Sequence, residues 1–123
     1  MRRRPIPFQI ALIMLLLVTA CGSSPSAPGG SDATITISAS GVSPKDVRIP
    51  AWGQVMFIND DSRPHRIVSD PIDLHTQCPP LNRVGILQPG ERRETGTLNL
   101  PGTCGFHDHD DQSEAFRGRI VVR

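Results

Sequence analysis

Beyond its first few tens of residues, the chain never repeats apolar side chains at helical spacing. Short runs of alternating, often β-branched residues are instead cut apart by proline and glycine. Thr34-Ile35-Thr36-Ile37-Ser38 alternates with period two and predicts a first strand. Gly41 to Lys45 turns the chain, Asp46 to Ile49 predicts a second strand ended by Pro50, and Gln54 to Asn59 a central one. Further strands are predicted at His65–Ser69, Val84–Leu87, Arg93–Leu100, through the stretch after Pro101-Gly102, and at Gly118–Arg123. About eight short strands with frequent turns give an all-β fold, a Greek-key β-sandwich or barrel over residues 33–123.

The N-terminal segment reads differently. Arg2, Arg3 and Arg4 precede an apolar run from Ile10 to Ala20 that is too short to span a bilayer, so residues 1–20 read as a secretory signal. The Val18-Thr19-Ala20-Cys21 junction resembles a bacterial lipobox. It implies a lipid on Cys21, a flexible Gly/Ser/Pro tether over 21–32, and an extracytoplasmic, membrane-anchored protein. Without the three leader arginines, ten basic residues face twelve acidic ones. With net charge −2 and no basic block, nucleic acid is excluded as a partner. Of three cysteines, Cys78 and Cys104 remain after Cys21, and an oxidising compartment predicts that they pair.

Chemistry-bearing residues concentrate in Cys104-Gly105-Phe106-His107-Asp108-His109-Asp110-Asp111. With Val47 to Asn59, Pro64-His65-Arg66-Ile67-Val68, Leu87-Gln88-Pro89-Gly90 and Pro101-Gly102-Thr103, the ordered set resembles the cupredoxins, small Greek-key copper proteins that include the plastocyanins. That resemblance implies His65 as a first copper ligand. It also implies a loop of the form Cys-x2-His-x4-Met-x-Gly beginning six residues after the glycine of the Pro-Gly-Thr turn. Counted from Gly102, the cysteine position falls on Asp108, the histidine on Asp111 and the methionine on Phe116. The closing glycine then falls on Gly118. In this register only His65 survives, and Cys104 shares the inward face of its strand with Phe106, where it can meet Cys78.

A blue copper site needs a thiolate, and two aspartates supply none. The expectation is therefore a rebuilt site of imidazole and carboxylate, His65, His107, His109 and Asp108, taking copper or, next, zinc. Alternation with inward Phe106 and Asp108 makes His107 and His109 face outward. A second register keeps an ordinary blue copper set of His65, Cys104 and His107. His75 reads as a loop residue at the far end, and Trp52 as a core or rim packing residue. No nucleophile-and-base pair points to an enzyme. The functional expectation is copper handling or electron transfer with a redox or copper-handling protein partner. The alternative is a metal-free domain for protein contact or envelope structure.

Overall fold

The structure, a computed structural model, describes residues 30–123. The expected signal segment and the lipidation site Cys21 lie outside the described residues. Among the described residues, nine strands form two mixed sheets: β1 Ala33–Ser38, β2 Gly41–Ser43, β3 Asp46–Ile49, β4 Val55–Asn59, β5 His65–Ser69, β6 Gly85–Leu87, β7 Arg92–Glu94, β8 Gly102–Asp108 and β9 Arg117–Val122. One sheet has the order β2-β1-β4-β7, the other β3-β9-β8-β5-β6. The pairs β1·β4 and β3·β9 are parallel and the rest antiparallel. Two short 3-10 turns, Pro79–Arg83 and Glu114–Phe116, complete the described residues. No helix among the described residues is long and apolar enough to cross a membrane.

Alternation explains the core. Ile35 and Ile37 of β1 with Val55 and Phe57 of β4 face Ile67 of β5, Phe106 of β8 and Ile120 of β9, all fully buried. Each such side chain contributes about 1.5–3 kcal/mol by leaving water. Phe57 and Phe106 meet across the sheets edge to face, centroids 5.1 Å apart. Gly118 makes room on β9, because a Cβ there would lie 2.4 Å from the Phe106 ring.

Three expectations need correction. The turn after Ser38 holds a strand of its own, β2, paired with β1. The long strand over Arg93–Leu100 shrinks to β7 and an isolated bridge between Gly53 and Leu98. Gly96 there abuts Pro80, its N–H donating to the Pro80 carbonyl, so the chain leaves the sheet. Trp52 is 72% exposed. Its backbone is left-handed, with φ 71°.

Cys78 and Cys104 form a disulfide, Cα atoms 5.6 Å apart and 26 residues separated in sequence. It fastens the connection between β5 and β6 to β8. The expected effect of replacing both cysteines with serine is a loss of about 3 kcal/mol, read as a lower midpoint in urea, with a steeper slope as the released chain expands when unfolded. An unchanged midpoint would show that the loop is held by its hydrogen bonds alone.

Candidate metal centre

The expected ligand set divides between two faces of one sheet. On the inner face, His65 at the start of β5 lies between two carboxylates. Its Nδ1 is 2.5 Å from Asp108 Oδ2 and its Nε2 is 2.8 Å from Asp61 Oδ2. All three side chains are nearly inaccessible. Carboxylates only accept hydrogen bonds, so both ring nitrogens donate and the ring is held as imidazolium. Neither nitrogen then has a lone pair for a metal.

The surroundings complete an ion-paired plug. Phe116 stacks on the His65 ring at 5.0 Å, and Arg63 lies 5.1 Å over Phe116. Arg63 donates to Asp61 at 3.0 Å and to Asp111 at 2.9 Å. Buried Asn59 shapes the loop by donating to the Arg63 and Leu87 carbonyls and accepting from Asp61 N–H. Asp108 Oδ1 accepts from the N–H groups of Arg66 and Asp110. The hydrogen bond from His65, with those from Arg63 and the Ser62 N–H, holds the Asp61 carboxyl below its ordinary range against the opposing effect of burial. Ser113, then Arg63, does the same for Asp111. Asp61 and Asp111 in turn raise Arg63.

His65, Asp108, Asp111 and Phe116, the positions the sequence resemblance assigns to copper ligands, thus sit in one cluster with no thiolate or thioether. A blue copper ion does not fit it. The alternative set fails as well, since the Cys104 sulfur is bonded to Cys78. His65 and Asp108 do not join His107 and His109, because successive side chains of β8 point to opposite faces.

On the outer face a different set converges. His107 and His109 meet His75, and ligand nitrogens of all three lie within 4.8 Å of one another. From sequence, His75 reads as a loop residue after β5 at the far end of the sandwich. In the structure that loop instead folds back over β8. Asp70 N–H donates to Gly105 O, Gly105 N–H donates to Gln77 Oε1, and the disulfide closes the far side. Gly105 permits this approach, since a Cβ there would fall 2.1 Å from Asp70 Oδ2. The mirrored spacings His75-x2-Cys78 and Cys104-x2-His107 were the signal available: once the cysteines pair, the two histidines lie the same distance from the link.

Orientation favours coordination. His107 Nδ1 donates to Asp70 Oδ1 at 2.7 Å, and His75 Nδ1 donates to the Ser69 carbonyl at 3.1 Å. Each ring therefore keeps its Nε2 lone pair. His107 Nε2 and His109 Nδ1 are buried without a partner. Such atoms are costly to leave bare, and an ion is one of the few things that satisfies them. His75 also holds a left-handed φ of 54°, uncommon for a residue with a side chain. Small side-chain rotations bring three imidazoles onto one ion at about 2.0–2.1 Å.

Comparison with known proteins agrees with the architecture. The profile of a family described as "Cupredoxin-like domain" matches residues 10–122. A chloroplast plastocyanin from Physcomitrium patens is 26% identical over 110 residues, covering 88% of this chain. The match covers 62% of that relative, so the chain spans less than two thirds of its length. Among solved structures, a purple cupredoxin from Nitrosopumilus maritimus aligns with TM-score 0.58 and 27% identity, over 75% of this chain and all of the other. An oxidised plastocyanin from Dryopteris crassirhizoma aligns with TM-score 0.57 and 18% identity, over 73% of this chain and 99% of its own; it shares the fold.

Proposed function

Since the chain belongs to the cupredoxin-like family, we propose that it is an extracytoplasmic, lipid-anchored protein that binds copper through His75, His107 and His109, outside the family's usual ligand positions. The observation that carries this is the pair of buried, partnerless nitrogens on His107 and His109 beside the free edge of His75. Three neutral imidazoles with a carboxylate behind one of them suit copper first and zinc second. The disulfide and the Val18-Thr19-Ala20-Cys21 junction both support the compartment. With no thiolate among the three ligands, the task that fits is holding and passing on the ion to a copper-handling partner.

The test is a copper titration of the purified, disulfide-intact protein followed by desalting. One retained ion per chain is expected, with zinc as a weaker competitor. Asp70→Asn keeps the shape but weakens the acceptor for His107 Nδ1–H, and affinity is expected to fall about 10–100-fold. No retained metal in the parent protein overturns the reading. It would favour the metal-free contact domain, for which the ion-paired plug around His65 already argues.

A further inference from the structure

Two large apolar side chains stand in water at the pole of the sandwich where the described chain begins. Trp52 is 72% and Leu100 75% exposed. They come from the β3–β4 and β7–β8 connections, which are pinned together: Trp52 N–H donates to the Leu98 carbonyl at 2.8 Å, and Leu98 N–H to Gly53 O at 2.9 Å. The left-handed backbone at Trp52 is a conformation that bulky residues rarely adopt. An outward aromatic held in that way calls for a reason.

The chain enters at the same place. Asp32 N–H donates to the Gln54 carbonyl, and the Asp32 carboxylate accepts from Gln54 N–H, both at 2.9 Å. Gly30 is nine residues from Cys21. A tether of that length reaches at most about 30 Å and averages about 15–18 Å if flexible. A lipid on Cys21 would therefore keep this pole close to the bilayer. Exposed Arg48 and Arg123 flank it, the Arg123 carbonyl accepting from Ala51 N–H and Arg123 N–H donating to Ile49 O. Guanidinium groups suit anionic headgroups, and a tryptophan ring suits the layer between headgroup and acyl chain.

We propose that Trp52 and Leu100 are a foot that inserts into the lipid–water interface of the membrane to which the tether leads. This rests on the lipid-anchor reading of Cys21. It also orients the metal centre. β8 runs away from the foot, from Gly102 to Asp108, about 20 Å at strand rise, so the histidine trio would face the aqueous space and an approaching partner.

Trp52 is the only tryptophan in the chain, so its fluorescence reports the foot directly. The full-length protein, isolated with its native N-terminus, is mixed with vesicles of phosphatidylethanolamine and phosphatidylglycerol and floated on a density gradient. Expected results are co-flotation, a shift of Trp52 emission to shorter wavelength, and quenching by brominated acyl chains. Leu100→Glu is expected to reduce both optical effects while flotation persists. Protein that floats while Trp52 still emits as a water-exposed ring overturns the foot and leaves the anchor standing. Protein that does not float overturns both. The same emission shift on concentrating the protein without lipid would assign the patch to a second copy of the chain and overturn the lipid contact.

Discussion

Replacing His107 with alanine is expected to abolish stoichiometric copper binding, with affinity falling more than about a hundredfold, beyond what loss of a supporting carboxylate costs. His107 is fully buried and is the member of the trio whose free nitrogen is both oriented by Asp70 and without a partner. The same loss should appear in thermal unfolding. With free metal at a hundred times its dissociation constant, binding stabilises the folded parent by about 2.7 kcal/mol. In a domain of this size that raises the melting temperature by about 10–20 °C. His107→Ala should show no metal-dependent shift, whereas Cys21→Ser should show the full one. His65→Gln tests the location independently. It removes the ligand expected from the family pattern yet lies on the opposite sheet face, and one retained copper is expected. If instead His65→Gln loses copper and His107→Ala keeps it, the ion sits among the carboxylates and the outer trio is only a packed cluster.

The strands were legible where two local signals agreed. Asp46–Ile49 and His65–Ser69 match their predicted bounds, because alternation is stopped on either side by Pro50, Pro64 and Pro71. Arg93–Leu100 alternates just as well, but its length is decided elsewhere, by Gly96 seated against Pro80. Asp108 is placed by counting along β8 from Gly102, since strand spacing is rigid over those residues, and Gly118 on β9 fixes the other end of the loop. The outer site cannot be placed in this way, because His75 lies in an aperiodic connection. Its position depends on a disulfide and on Asp70 and Gln77 bonding to Gly105, contacts that span 26 to 35 residues. Asp61 is unmarked in the sequence for a related reason: nothing local makes it the second carboxylate on His65 until Asn59 bends the loop inward. Trp52 reads from sequence as a packing residue because aromatic rings usually bury. A positive φ, which sequence does not announce at a tryptophan, turned it outward.

Asp108→Ala is expected to cost the most stability of any single change in the plug. Asp108 is 1% exposed, faces a buried imidazolium, and also accepts two backbone N–H groups. Breaking a buried pair from one side leaves the other charge uncompensated, at about 3–5 kcal/mol, or a fall of about 15–30 °C in melting temperature. The double change His65→Leu with Asp108→Leu should recover much of this, since an apolar pair of similar volume is often as stable as the ion pair it replaces. Acid provides a second readout. Asp61 is held below its ordinary 3.8, chiefly by His65. A depressed carboxylate contributes stability that is fully present above its unfolded value and is lost as pH falls through its folded one. The parent should therefore keep its melting temperature down to about pH 4 and lose it steeply below that, and His65→Leu should flatten this acid limb. A melting temperature for Asp108→Ala within a few degrees of the parent would mean that the two carboxylates do not hold His65 in its charged form, and the plug would lose its explanation for why the family's ligand positions are closed to copper.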